Sequence, residues 1–130
     1  MVLDRFMEEH LPGIERELGQ CLPAEEVYPE RLHRAMRYST LGGGKRLRGL
    51  LALAAIEMVG RDRLSDLRAP GYRLAAAAEM LHAYSLIHDD LPCMDDDDYR
   101  RGKPSNHKVF GEALAVLAGD ALLTESFALL

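Results

Sequence analysis

The most concentrated group of reactive side chains in this sequence is a run of aspartates. Asp89 and Asp90 come first, and four more aspartates occupy positions 95–98. Two like charges 4 Å apart repel by about 4 kcal/mol near a protein surface, so a packed cluster of carboxylates needs a cation. Carboxylate oxygens favour Mg²⁺ or Ca²⁺ over zinc. The run therefore predicts a magnesium site, and a solvated acidic loop is the alternative.

Positive side chains follow the aspartates directly. Arg100, Arg101 and Lys103 all lie within five residues of Asp98. A divalent cation beside arginines can hold a diphosphate group and stabilise the charge that develops as it leaves. The acidic run and the arginines together favour a metal–diphosphate site. If the arginines only neutralise the acids, the same segment is a solvated loop.

A second candidate phosphate site lies earlier in the chain. Glycines occupy positions 42–44, and Lys45 and Arg48 follow at the start of an apolar segment. Glycines ahead of a helix leave backbone N–H groups free to meet an anion at the positive end of the helix dipole. Lys45 and Arg48 are three residues apart and so share one face. The segment is not a Walker loop, and a glycine-capped turn before a solvated helix is the alternative.

His82 is the third candidate. It precedes Asp89 by seven residues, about two helical turns, so both side chains point from one face of a helix. A lone histidine in an apolar helix is usually a hydrogen-bonded core residue. Because it is aligned with the acidic end of the helix, a role for His82 in ligand binding stays open beside the role in the core.

The elements that must position these residues are helices. Apolar residues recur at helical spacing throughout, which predicts an all-α helical bundle without strands. The first amphipathic stretch, 3–18, is expected to be interrupted near Pro12. Further helices are expected at 29–41, at 47–58 (nearly all apolar and therefore buried), at 69–91 and from 111 onward. Segments 60–71 and 92–106 are expected to be loops.

Composition narrows the function classes. The chain has 130 residues, 48% of them hydrophobic, which suits one domain with a packed core. Six of its 21 acidic residues lie within 89–98. The rest of the chain has sixteen basic and fifteen acidic residues and is close to neutral. No extended basic face is left for nucleic acid, and no apolar run is long enough for a membrane span. Two cysteines without an export signal predict a cytoplasmic protein with reduced thiols.

Four stretches of the sequence resemble the trans-prenyl diphosphate synthases, in particular the farnesyl and geranylgeranyl diphosphate synthases of bacteria and plastids. They are GGKRLR at 43–48, HAYSLIHDDLPCMD at 82–95, RRGKP at 100–104 and LAGDAL at 117–122. The likeness covers nearly the whole chain from Tyr38. It implies an isoprenoid synthase fold and a prenyltransferase, usually a homodimer, that condenses an allylic diphosphate (dimethylallyl or geranyl) with isopentenyl diphosphate.

The resemblance also implies a role for each matching residue. Asp89 and Asp95 correspond to Mg²⁺ ligands, with catalytic Asp90 beside them, and Arg100 to a residue that holds the allylic diphosphate. Isopentenyl diphosphate would be held by Lys45, Arg48, His82 and Arg101. Because the leaving diphosphate gains negative charge, metals and arginines stabilise the transition state more than the ground state. The released pyrophosphate is the expected base for the final proton.

Product length in this family depends on the residues just before the first aspartate, here Tyr84 and Ser85. A bulky Tyr84 is expected to close the cavity and stop growth early, which favours farnesyl diphosphate. A geranylgeranyl diphosphate synthase is the alternative.

The family has a second aspartate-rich motif in its later half, and this sequence ends before it. Residues 1–130 are therefore expected to be the N-terminal part of one prenyl synthase domain, truncated to its first helices. The chain alone is expected to be inactive. The terminal helix also ends on an apolar run without a cap, for which docking across a homodimer is the alternative explanation.

Two other functions remain open. A metal-dependent phosphohydrolase that uses His88 and Asp89 would need further spaced histidines, and His10, His33 and His107 form no recognisable set. A non-catalytic prenyl synthase-like subunit would have a degraded aspartate motif, whereas the motif here is intact.

Overall fold

The computed structural model describes residues 2–60 and 64–130. The prediction of an all-α helical bundle is confirmed over these residues. The elements are α1 (Val2–Cys21), α2 (Glu30–Thr40), α3 (Leu47–Gly60), α4 (Leu64–Asp89), strands β1 (Tyr99–Arg100) and β2 (Lys103–Pro104), α5 (Asn106–Phe110) and α6 (Glu112–Ala128). None of the described helices is both long and apolar enough to cross a membrane.

Helix α4 is the centre of the bundle and packs against α1, α3 and α6. Its alanines at 75–77 are buried, and such small side chains let neighbouring helices approach closely. The largest fully buried apolar side chains come from four different helices; they are Ile14, Leu18, Met36, Met80, Ile87 and Leu122. The core thereby fixes α4, whose C-terminal end carries the first aspartates.

Two predicted interruptions are wrong. Helix α1 continues through Pro12, and α4 begins at Leu64 and continues through Pro70. A proline removes one helical hydrogen bond, but packing on both sides of it can outweigh that loss. Buried Ile14 and Leu18 hold α1 beyond its proline, and Gly71 packs closely against α3. The predicted loop 60–71 is therefore helical from Leu64; positions 61–63 lie outside the described residues.

Helix α3 was expected to be buried because it is almost entirely apolar, and this is wrong for half of its surface. Gly49, Leu50 and Leu53 are buried, whereas Leu51 is 69% exposed and Val59 is 85% exposed. The helix packs against α1 and α4 on one side only. Apolar composition did not reveal which side this was.

The segment after α4 is more ordered than the loop expected at 92–106. Helix α4 ends at Asp89, ahead of Pro92. Strands β1 and β2 then pair antiparallel, with Arg100 opposite Lys103. The two residues between them, Arg101 and Gly102, have φ of 52° and 75°, as a type I′ hairpin turn requires. A ladder of two residues per strand is too short for an alternating pattern to show.

Candidate active site

Two adjoining cavities lie where the loop before α3, helix α4 and the β1–β2 hairpin meet. The larger measures about 400 Å³ and the smaller about 50 Å³. Four side chains line both of them: Arg46, Glu79, His82 and Arg101. The larger cavity is also lined by Gly44, Lys45, Leu47 and Arg48, and Asp90 and Arg100 contribute to the smaller one.

The larger cavity is basic. Lys45, Arg48 and Arg101 are exposed residues on its wall, and none has an ion pair within the described part of the chain. The Glu79 carboxylate on the same wall is buried beside Arg46, so the positive charge of these three residues outweighs it at the cavity. Three convergent cations of this kind attract negatively charged groups such as phosphates. The structure brings together three basic residues that the sequence analysis singled out in two separate segments.

The glycine loop before α3 is shaped by its backbone. Gly43 and Gly44 have φ of 91° and 143°, a conformation that side chains rarely permit. A Cβ on Gly44 would lie 2.7 Å from a guanidinium nitrogen of Arg101. The Arg101 guanidinium also donates a hydrogen bond to the carbonyl oxygen of Gly43. The glycines thus let the hairpin arginine reach the loop that carries Lys45.

Arg46 organises the same loop, a role that the sequence analysis did not predict. Its φ is 51° and its side chain is buried. Nε and Nη2 donate to the two carboxylate oxygens of Glu15 at 2.6 and 3.2 Å, and Nη1 lies 3.8 Å from Glu79. Glu79 in turn accepts a hydrogen bond from the backbone N–H of Gly49 at 2.9 Å. This network joins α1, α3 and α4 beneath the basic cavity.

His82 lies between the two cavities, half-buried on α4. Burial lowers the pKa of His82, and the nearby positive charge of Arg48 lowers it further. The imidazole is consequently neutral near pH 7 and can donate one hydrogen bond to a ligand oxygen.

Asp90 and Arg100 form the wall of the smaller cavity. Asp90 is 2% exposed. The Arg100 Nε donates to both carboxylate oxygens, at 2.9 and 2.8 Å, and Nη2 donates to Oδ1 at 2.6 Å. The hydrogen bond to Asp90 raises the pKa of Arg100. The second aspartate of the motif is thus committed to an arginine from the hairpin.

Asp89 and Asp95 are brought together through the backbone. The Asp95 N–H donates to the Asp89 carbonyl oxygen at 2.8 Å, which closes the intervening turn. Asp89 is half-buried and Asp95 is exposed. Their carboxylates are the hard oxygen ligands that Mg²⁺ prefers, and Mg²⁺ commonly completes its shell with water and substrate oxygens. The residues present therefore fit a magnesium ion.

Tyr84 and Ser85 lie elsewhere on α4. The Tyr84 ring packs edge-on against the His88 ring with centroids 5.0 Å apart. The Ser85 hydroxyl donates to the His82 carbonyl oxygen at 2.9 Å. Neither side chain lines the two cavities. Their assignment to product length remains a prediction.

The fold and the site define a class: a helical domain in which an acidic loop at the end of one helix lies next to a basic cavity. The chain belongs to the polyprenyl synthetase family, whose model matches residues 29–130. This confirms the resemblance to trans-prenyl diphosphate synthases and, with the helical structure, the isoprenoid synthase fold.

Individual relatives agree. The chain is 52% identical over 128 residues to the farnesyl diphosphate synthase of Bacillus subtilis, covering 98% of this chain and 41% of that protein. It is 55% identical over 114 residues to the large subunit 1 of the chloroplastic heterodimeric geranylgeranyl pyrophosphate synthase of Arabidopsis thaliana, covering 88% and 29%. The apo structure of a farnesyl/geranylfarnesyl diphosphate synthase from Zymomonas mobilis superposes with a TM-score of 0.85 at 47% identity, covering 98% and 44%. The chain thus spans less than half the length of these relatives.

Proposed function

We propose that this chain supplies the N-terminal part of a short-chain trans-prenyl diphosphate synthase. The complete enzyme condenses an allylic diphosphate with isopentenyl diphosphate and yields farnesyl diphosphate, with geranylgeranyl diphosphate as the alternative product. The observation that carries this proposal is the convergence of Lys45, Arg48 and Arg101 on one cavity beside the aspartate loop. Membership of the polyprenyl synthetase family supports the reaction class.

The basic cavity is the proposed site of isopentenyl diphosphate. Lys45, Arg48 and Arg101 have no ion pair within the described residues and can balance the charge of a diphosphate, while bidentate guanidinium groups orient it. Neutral His82 on the cavity wall donates to a phosphate oxygen without adding a fourth charge. Holding both substrates in one orientation removes much of the entropic cost of joining them.

The acidic loop is the proposed site of the allylic diphosphate. Asp89 and Asp95 would hold Mg²⁺, which when bound offsets the negative charge of the departing diphosphate. Arg100 has one terminal nitrogen, Nη1, outside its contacts with Asp90, and this nitrogen is available to a phosphate oxygen. Asp90 holds the guanidinium plane in place and is a positioning residue in this arrangement.

The chemistry follows from these placements. The allylic carbon–oxygen bond breaks and pyrophosphate leaves with the electron pair. The double bond of isopentenyl diphosphate then forms the new carbon–carbon bond, and the released pyrophosphate takes the proton lost from the product. The protein residues bind, orient and stabilise charge, and no protein base is needed. The family resemblance supports a homodimer, and two free cysteines suit a reducing compartment such as the cytoplasm.

The test is binding of isopentenyl diphosphate to the 130-residue chain by isothermal titration calorimetry. We expect one site, weakened about tenfold or more in Arg48→Ala, since a charged hydrogen bond contributes about 1.5–3 kcal/mol. Arg68→Ala is the matched control, because Arg68 is exposed and pairs with Glu9 away from the cavity. Equal binding by all three proteins would contradict the proposed site.

A further inference from the structure

We propose that Asp96, Asp98 and His107 form a second cation site, specific for a transition-metal ion such as zinc or cobalt and separate from the magnesium ligands Asp89 and Asp95. It goes beyond the proposed condensation reaction and does not depend on it.

The geometry that points to this site is a trio of side chains from two segments. One ring nitrogen of His107 and one carboxylate oxygen from each of Asp96 and Asp98 lie within 4.8 Å of one another. It is the one group of three possible metal-ligand side chains within this distance of each other among the described residues. Small side-chain rotations would bring three atoms at this spacing to the roughly 2 Å bonds of a shared metal ion.

His107 provides a second and independent observation. The residue is 7% exposed, and its Nδ1 is buried without a hydrogen-bond partner among the described residues. A buried polar nitrogen that lacks a partner costs about 1–3 kcal/mol, and an ion or a water molecule is one way to satisfy it. A metal ion shared with Asp96 and Asp98 would give this buried imidazole a partner.

The donor set selects the class of metal. Mg²⁺ prefers oxygen ligands and keeps its water, whereas an imidazole with two carboxylates suits zinc, cobalt and related ions. Asp89 and Asp95 offer carboxylates, and the trio adds a nitrogen. The two sites therefore differ in which metal they favour.

The surrounding backbone is fixed, which holds the ligands near one another. Asp96 has φ of 54°, and the Ser105 N–H donates to the Asp98 carbonyl oxygen at 2.9 Å. One competitor faces the site: the Lys108 ammonium lies 2.9 Å from Asp98 Oδ1. A bound metal ion must displace that ion pair. Because Asp96 directly follows Asp95, a metal bound here would connect the loop that carries Asp95 to α5.

The experiment uses the full 130-residue chain and Co²⁺, whose visible absorption reports nitrogen and oxygen ligands. Asp96→Asn and His107→Gln should each weaken Co²⁺ binding by at least about tenfold, the loss that even indirect support of a metal ligand commonly causes. Lys108→Met should tighten binding, because it frees Asp98. The double variant Asp89→Asn, Asp95→Asn is the control that should retain the cobalt site.

Two further measurements complete the test. Long-range ¹H–¹⁵N spectra should show the His107 ring signals move on Zn²⁺ addition and stay in place on Mg²⁺ addition. If His107→Gln fails to fold, Asp96→Asn carries the test, because Asp96 is exposed. Absence of Co²⁺ binding, binding lost only in the Asp89/Asp95 variant, or unmoved His107 signals would each overturn the proposal.

Discussion

The Arg100 guanidinium donates to both carboxylate oxygens of Asp90, over distances of 2.6 to 2.9 Å. Asp90 directly follows the central helix α4 and is buried, whereas Arg100 belongs to the hairpin and its side chain is 33% exposed. The pair thus connects the aspartate loop to the segment that carries Arg101. Because the carboxylate is buried, its loss of the arginine would leave a costly unpaired charge.

Replacing Asp90 tests this connection. Asp90→Asn should lower the free energy of unfolding by about 1–3 kcal/mol, less than for a fully buried pair because Arg100 is partly solvated. Urea unfolding monitored by circular dichroism measures it. Asp97→Asn is the control, since Asp97 is 55% exposed and 3.9 Å from the same arginine; it should change stability by less than about 0.5 kcal/mol. Equal effects of the two changes would refute the special role of Asp90.

The buried arginine beneath the basic cavity gives a second prediction. Arg46→Met should destabilise the chain by about 3–5 kcal/mol, because it leaves Glu79 buried without its cation. Adding Glu79→Gln to that variant should restore part of the loss. Arg34→Ala serves as the control, since its ion pair with Glu30 is exposed and 4.0 Å long. If Glu79→Gln restored none of the stability lost in Arg46→Met, the two side chains would not be coupled.

The close packing of α6 on α4 gives a third prediction. A Cβ on Gly119 would lie 2.2 Å from His88 Nε2, which now bonds the Val116 carbonyl oxygen at 3.0 Å. Gly119→Ala should therefore destabilise by about 1–3 kcal/mol through overpacking. Gly19→Ala has open space around it and should stabilise α1 by about 0.5–1 kcal/mol. Thermal unfolding of both variants checks the opposite signs.

The environment of His82 predicts a pH dependence. Its pKa is lowered from 6.5 by burial and then by Arg48. Between the lowered and the ordinary pKa the unfolded chain binds more protons, so stability rises with pH through this window and is lost as pH falls. Arg48→Ala should raise the His82 pKa toward 6.5, as followed by its ring proton shifts. A pKa that does not move would exclude Arg48 as a cause.

The prediction about product length applies to the complete prenyl diphosphate synthase that is proposed above. Tyr84→Ala should shift products beyond farnesyl diphosphate, and chromatography of the dephosphorylated alcohols would show it. The conservative Tyr84→Phe should leave the product spectrum unchanged, because it keeps the ring. An unchanged spectrum in the alanine variant would reject Tyr84 as the residue that limits growth.

Spacing and residue type predicted much of this protein, and the misses share a physical cause. The three basic residues of the cavity, the aspartate run and the helical class all follow from local patterns. Helix α4 continues through Pro70 because of contacts with distant residues, which local propensity does not contain. The same holds for Arg46, whose partner Glu15 is 31 positions away. The proximity of His107 to Asp96 and Asp98 depends on the hairpin between them, which was not predicted.

The most direct test of the central claim is the thermal stability of the 130-residue chain with Mg²⁺, with inorganic diphosphate, and with both. If the aspartate loop and the arginines form one metal–diphosphate site, the two ligands together should raise the melting temperature by more than the sum of their separate effects. The double variant Asp89→Asn, Asp95→Asn should lose this excess. A merely additive shift, or an excess that survives in the variant, would contradict the assignment.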